Sequence, residues 1–389
     1  MGFEGVDFLG LDDDLAPDER LVRDVVRRWV DEQVLPLIAA HYDAGRFPRE
    51  LVPKLAELNL LGATLDPVYG CAGLKDVAYG LIQQELERGD SGLRSFVSVQ
   101  SGLVMWPIAT YGSDAQKHRW LPQLARAEAI GCFGLTEPDA GSNPQQMVTR
   151  VRRDGADLIL NGTKMWITNG SLADIALIWA KDDGDVIRGV LVERGAPGFR
   201  ANPIRGKFSL RASDTAELVL QEVRVPADQM LAGAEGLAAA LRCLNQARYG
   251  ITWGAIGAAM ACYDVALRYA QQRQQFGRPL AGFQLVQEKL VSMLTEISKM
   301  QALCLRLGRL KERGALRPAQ ISLAKRNNVQ HALAIARQAR DILGANGIMY
   351  EHQVARHLCN LESVSTYEGT HDIHTLIIGE HITGLSAFH

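Results

Sequence analysis

Apolar side chains recur at intervals of three and four along roughly the first 130 residues. Leu21, Val22, Val25, Val26, Trp29 and Val30 fall on one helical face, with Pro17 placed for the first turn. Leu51, Val52, Leu55 and Leu58 repeat the pattern after Pro48, and Gly62 suits the stop of that helix. Further helices are predicted over 76–88, from 91 toward 107, and over 114–128. The period then shortens. CFGLT, LILNG, KMWIT, DIALIWA, VIRGVLVE and TAELVLQEVRVP read as strands. Asn161-Gly162, Asn169-Gly170 and Asp183-Gly184 separate some of them, and the first predicts a hairpin turn. No helix-length segment intervenes, which favours an antiparallel sheet over βαβ units. Helical spacing returns near residue 235, with long helices expected to about 275, over 286–310, over 318–343 and over 370–385. Helices of that length suit a bundle.

The chain therefore reads as α+β: an N-terminal α-helical domain over 1–130, a middle antiparallel β domain over 131–234, and a C-terminal four-helix bundle over 235–389. Its 389 residues fit two or three domains at roughly 100–200 residues each. Lys and Arg (42) nearly balance Asp and Glu (44), which argues against a surface that coats nucleic acid. A 47% hydrophobic content with 22% charged residues excludes disorder. The six cysteines are scattered without a C-x-x-C pair, so free thiols in a reducing compartment are expected, and no metal. The acidic N-terminal stretch matches neither a secretory signal nor an Arg-rich transit peptide, and Val6 stands where a myristoylation motif takes Ser or Thr. No run of about 18 apolar residues is evident, so no membrane helix is expected, and the expected location is cytoplasmic.

Four places fit structure alone poorly. Arg94 is the only charged residue between Asp90 and Asp114; it needs a carboxylate, a phosphate or solvent, and can anchor an anionic substrate group. GLTEPDAGSN, from Gly134 to Asn143, follows a strand and can bring backbone N–H groups to a phosphate or polar ring. It is not a G-x-G-x-x-G fingerprint and opens no helix. Trp166-Ile167-Thr168 offers a stacking face and a hydroxyl to a planar heterocycle, although such a run is also ordinary in a strand. Thr366-Tyr367-Glu368-Gly369-Thr370 interrupts two helices and can present a carboxylate, although it also suits helix capping. His371 and His374 share an i, i+3 spacing, without an acidic ligand set to make a metal site.

In sequence order, GLTEPDAGS, NGTKMWITNG, RQQFGRPLAGFQ, DILGANG and TYEGTHDIH resemble the acyl-CoA dehydrogenase family over essentially the whole chain. Within it, ELERGDSGLRSFVSVQSGLV, GKFSLRAS, CLNQARYGITWG, SLAKRNN and YEGTHDIH look most like the branch that acts on glutaryl-CoA. The resemblance implies a β-barrel for the middle domain and FAD as cofactor. It implies Glu368 as catalytic base. Phe133, Leu135, Thr136, Gly141 and Ser142 would line the flavin, with Trp166, Ile167 and Thr168 against its ring and Thr370 beside it. Arg273, Phe276, Gln284, Asp341, Leu343, Gly344 and Ala345 would reach the FAD of a neighbouring subunit in a homotetramer. Ser142, Leu241, Leu244, Asn245, Arg248 and Gly369 would contact the acyl-CoA, and Arg94 with Ser95 would hold the distal carboxylate of glutaryl-CoA. Glu87 and Tyr367 would serve the decarboxylating half of the reaction. The chain departs from the family pattern at Asn143, Ala345 and Leu93.

The implied chemistry is α-proton abstraction with β-hydride transfer to flavin, then loss of CO2 to give crotonyl-CoA. Electrons would pass to an electron-transfer flavoprotein. The enolate would be stabilised by the base's own backbone N–H and the flavin ribityl chain. Two other readings stand beside it: a dehydrogenase of another short or dicarboxylic acyl-CoA, decarboxylating or not, and a non-catalytic acyl-CoA binder. No nucleic-acid or membrane partner is expected.

Overall fold

The computed structural model describes residues 3–388 and runs helices, sheet, helices, as the change of period predicts. The first tract holds α1 (Pro17–Trp29), α2 (Leu35–Ala44), α3 (Val52–Glu57), α4 (Asp76–Gly89), α5 (Ser91–Ser98), α6 (Trp106–Tyr111) and α7 (Asp114–Ala125). Helix α2 escapes the pattern because a π-helical stretch, Val30–Val34, separates it from α1 and shifts the phase of the apolar positions. A second π stretch, Val99–Met105, divides the helix expected from 91 toward 107. Asp90 sets the start of α5: its backbone is extended and its Oδ1 accepts from the Gly92 N–H at 2.7 Å.

The middle tract holds β1 (Gly131–Gly134), β2 (Arg150–Asp154), β3 (Asp157–Thr168), β4 (Ile175–Lys181), β5 (Ile187–Glu193), β6 (Phe199–Pro203), β7 (Thr215–Pro226) and β8 (Met230–Glu235). The sheet runs β6-β7-β3-β2-β4-β5-β8, with β1 beside β4. Alternation divides its side chains. Ile178 joins Leu160, Val190 and Leu218 in a core made by the strands alone, while Leu177 and Trp179 point the other way into the core shared with the helices. The antiparallel expectation holds, with two refinements and one correction. The sheet is mostly antiparallel, yet β1 pairs with β4 in parallel and β2 meets β4 the same way at Arg150 and Lys181. The barrel is not closed by hydrogen bonds, because β6 and β8 end the path. Asn161-Gly162 makes no hairpin and lies inside the continuous β3. Gly162 is there because a Cβ would stand 2.3 Å from Thr149 Oγ1, and the register against β7 slips at this point. The tight turn is instead Gly155-Ala156, between the paired residues Asp154 and Asp157.

The last tract holds α8 (Gly236–Gln272), a short hairpin of β9 (Gln274–Gln275) and β10 (Arg278–Pro279), then α9 (Gln284–Glu312), α10 (Pro318–Ile342), α11 (Val354–Thr366) and α12 (His371–Thr383). That is five helices among the described residues where four were expected, α11 being the addition. Helix α8 also corrects the hydropathy reading: an 18-residue window of mean hydropathy 1.3 makes it long and apolar enough to cross a membrane. In the fold, 83% of that window is buried, because α8 packs along both α4 and α10. Glycines permit the approach. A Cβ on Gly257 would lie 1.9 Å from the Gln84 carbonyl oxygen, and one on Gly254 would lie 2.0 Å from Glu87 Oε2. The first tract thus supplies one wall of the helical core, and that contact positions the candidate site.

Candidate active site

Arg94 finds its counter-charge two helical turns back along the chain. The side chain is fully buried on α5, and its Nε donates to Glu87 Oε2 at 2.6 Å. Glu87, on α4, also accepts from Ser91 Oγ at 2.9 Å. The other end of the guanidinium donates through Nη2 to the Tyr367 hydroxyl, which lies 3.4 Å from Ser95 Oγ. The helix that carries Arg94 is anchored in turn. Arg356 of α11 donates to Asp90 Oδ2 at 2.6 Å and to the Gly89 carbonyl at 2.7 Å, and Asn360 donates to the same Asp90 oxygen at 2.9 Å. Arg94, Glu87, Ser95 and Tyr367 therefore stand together. The partner that Arg94 required is supplied by the protein itself.

Glu368 follows directly, in the turn between α11 and α12. Its backbone lies in the left-handed region at φ 52, beside Gly369 at φ 97. A non-glycine residue there is uncommon and costs about 1–3 kcal/mol, so the surroundings must hold it. The residue is half-buried as a whole, but its Oε2 is buried without a hydrogen-bond partner. Burial pushes the carboxyl upward, and Arg94, Arg248 and Lys325 oppose that shift. An unpaired buried carboxylate oxygen with a raised proton affinity suits a base whose proton comes from a ligand.

On α8, Leu241, Leu244, Asn245 and Arg248 share one face. Arg248 Nε donates to the Glu368 carbonyl at 2.7 Å and Nη1 to Asn245 Oδ1 at 3.3 Å. Burial pulls the Arg248 guanidinium below its ordinary value. Gly369 is required as glycine: a Cβ would stand 2.9 Å from His374 Nε2. Thr370 caps α12, its Oγ1 accepting from the Ile373 N–H at 3.2 Å.

The residues expected to hold FAD form two sets. In the first, Phe133, Leu135 and Ile167 are buried and Thr136 and Thr168 half-buried, while Gly141 and Ser142 are exposed in the loop after β1. Trp166 is 61% exposed although it belongs to a strand, and its φ of 63 turns the indole out of the sheet. A large aromatic held outward at that backbone angle fits the flat face of a flavin. The second set, Arg273, Phe276, Gln284, Asp341, Leu343, Gly344 and Ala345, lies around the α8–α9 connection and the turn after α10. Only Leu343 of these is buried, and Phe276 is 92% exposed. Asp341 is ion-paired with Lys289 and lies 3.6 Å from Arg340.

The sequence reading missed Lys325, took His374 only for its spacing from His371, and gave Glu137 no part within its loop. Lys325 on α10 donates to the carbonyls of Tyr367 and Gly369. Its signal was a lysine among Ile321, Ala324, Val329 and Ala332 on the buried face of a helix. His374 is fully buried with both ring nitrogens unpartnered, and burial pulls it down to about 3, so it stays neutral beside Gly369. Glu137 shapes the loop after β1: it accepts from the N–H groups of Val148 and Thr149 at 2.6 and 3.0 Å and pairs with buried Lys164 at 2.7 Å.

Three family models cover most of the chain: the acyl-CoA dehydrogenase N-terminal domain at 16–128, middle domain at 132–223 and C-terminal domain at 234–383. A crystal structure of glutaryl-CoA dehydrogenase from Mycobacterium smegmatis is 55% identical, with a TM-score of 0.97 over 98% of this chain and 99% of that one. A second structure of such an enzyme from the same organism, in complex with FADH2, is 53% identical, with a TM-score of 0.97 over 99% of both chains. The mitochondrial short-chain specific acyl-CoA dehydrogenase of Bos taurus is 32% identical over 375 residues, which is 95% of this chain and 91% of that protein.

Proposed function

Because this chain belongs to the acyl-CoA dehydrogenase family, whose members bind FAD, we propose that it oxidises glutaryl-CoA and decarboxylates the product to crotonyl-CoA. The observation that carries this reading is Arg94, a fully buried guanidinium next to the loop that bears the base. Around that loop three cationic side chains, Arg94, Arg248 and Lys325, face two carboxylates, Glu87 and Glu368. The surplus positive charge suits an acyl chain that ends in a carboxylate.

Glu368 takes the α-proton of the thioester. Its burial strengthens it as a base, and the nearby cations favour its ionised form. FAD, when bound, supplies the acceptor for the β-hydride and so takes the two electrons. Phe133, Thr136, Trp166 and Thr168 would hold its ring, and the second set of residues would reach it from a neighbouring subunit of a homotetramer. Arg94 holds the distal carboxylate, while Glu87 and Tyr367 fix the guanidinium. Once the α,β double bond exists, the γ-carboxylate is conjugated with the thioester. The bond to the carboxyl carbon then breaks, its electron pair moves toward the thioester, and CO2 leaves. The resulting dienolate takes a proton back from Glu368. The two electrons would pass on to an electron-transfer flavoprotein.

The deciding experiment is product analysis with glutaryl-CoA and a flavoprotein acceptor. Crotonyl-CoA with stoichiometric CO2 is expected. Accumulation of glutaconyl-CoA would remove the decarboxylation step. Turnover of butyryl-CoA with none of glutaryl-CoA would favour a short-chain dehydrogenase, the activity named for the Bos taurus relative.

A further inference from the structure

The carbonyls of three successive residues around the base are all taken by buried cations. Lys325 Nζ donates to Tyr367 O at 2.7 Å and to Gly369 O at 2.6 Å, and Arg248 Nε donates to Glu368 O at 2.7 Å between them. Lys325 is 2% exposed and Arg248 7%. We propose that Lys325 is a positioning residue that clamps the two carbonyls flanking Glu368 and so holds the base carboxylate at its working place. The proposal rests on the reading of Glu368 as the base.

The backbone supplies the reason a clamp is needed. Glu368 and Gly369 are consecutive left-handed residues, at φ 52 and φ 97. That pair turns the peptide so that the carbonyls before and after Glu368 converge on one point. Two converging carbonyl dipoles repel each other and need a shared donor. An ammonium provides three donors and a charge from one atom, and the end of α11 is where a cation is favoured by the helix dipole. Without the donor, both carbonyls are better satisfied by a relaxed turn, and Glu368 moves with it.

The same ammonium acts on the carboxyl through space. The charged and titratable groups around it come from four elements: Glu368 and Tyr367 from the turn, Arg94 from α5, Arg248 from α8, and His371 and His374 from α12. Burial, Arg94 and Arg248 pull the Lys325 ammonium down to about 7, while Glu368 favours its charge. A protonated Lys325 therefore favours ionised Glu368. Removing its charge raises the proton affinity of Glu368 further, so the acid limb of kcat/KM moves to higher pH.

The test uses Lys325→Met and Lys325→Gln as FAD-loaded enzymes, after flavin content and a cooperative melt have been measured. Lys325→Met is expected to lose kcat by about tenfold or more, since small displacements of a reacting group have that effect, with KM little changed. Its acid limb should move up by about one pH unit. Lys325→Gln retains a donor without the charge, so it should recover part of kcat but keep the displaced limb. Deuterium incorporation at the α-carbon of butyryl-CoA in D2O reads the base directly and should fall in parallel with kcat. Wild-type kcat and an unmoved acid limb in both variants would overturn the proposal. So would loss of FAD and of the melt in both, which would assign Lys325 to general stability. Glu368→Gln is the control: if it still exchanges the α-proton, the base reading fails, whereas an inert Glu368→Gln beside an unaffected Lys325→Met sinks the clamp alone.

Discussion

Glu368 is a carboxylate on which burial and charge pull in opposite directions. Desolvation raises its pKa, three cations oppose that rise, and the net shift is upward. Activity should therefore fall as pH drops through that raised value, because the base must be ionised to accept a proton. Glu368→Gln should retain yellow FAD and lose flavin reduction by acyl-CoA by at least about 10²-fold, read by the bleaching of flavin absorbance. Rapid bleaching of that variant would remove Glu368 from the role. Arg94→Met should reduce glutaryl-CoA turnover on the order of 10²-fold more than butyryl-CoA turnover, because truncation leaves the distal carboxylate buried and unpaired. Equal losses on both substrates would assign Arg94 to the fold. Both residues drew notice because each is a charge in an uncharged or turn-like setting, and the family resemblance supplied their proposed roles. Lys325 was passed over because its function is to donate to backbone carbonyls, and which carbonyls converge on it depends on dihedral angles that no residue type spells out.

Among the elements, the contact of α4 with α8 holds the site together. Gly254 is where that contact meets the site, since a Cβ there would stand 2.0 Å from Glu87 Oε2 and 3.3 Å from Arg94 Nε. Gly254→Ala should destabilise the fold by about 1–3 kcal/mol through overpacking, measured by denaturant unfolding, and should also disturb glutaryl-CoA selectivity through the displaced ion pair. An alanine variant with wild-type stability and selectivity would mean that Glu87 has room to move. Helical periodicity located α1, α4 and the long helices, where an apolar face repeats without interruption. It failed at α2 because the π stretch before it breaks the repeat. The Asn161-Gly162 turn failed for a different reason. Asn-Gly fits a two-residue hairpin by local geometry, but this glycine answers to Thr149 on a neighbouring segment.

Across the whole molecule, the second set of residues expected at the FAD is exposed apart from Leu343, which fits the proposed contact with the FAD of a neighbouring subunit. Phe276 is 92% exposed at φ 51, close to Phe283, over whose ring Arg278 stacks at 4.1 Å. Phe276→Ser should lower FAD retention in gel filtration and lower the mass read by light scattering. An unchanged mass with full flavin content would show that this surface serves neither purpose. The near-neutral total charge, -2, says nothing of the site, where cations outnumber carboxylates within one loop's reach.

The sequence by itself determined the succession of helices, strands and helices, because the period of apolar positions is a local property of the chain. It also singled out Arg94, the Gly134–Asn143 loop and Glu368 as places to look for function, and the family resemblance gave each of them a proposed role. The tertiary structure decided what those groups touch: Glu87 as the partner of Arg94, the orphaned oxygen of Glu368, and the clamp from Lys325. These facts join α4, α5, α8, α10 and the turn after α11, segments up to 281 residues apart between Glu87 and Glu368. Distances and desolvation between such segments exist only once the chain has folded, and they set both the proton affinity of the base and the surplus charge of its pocket.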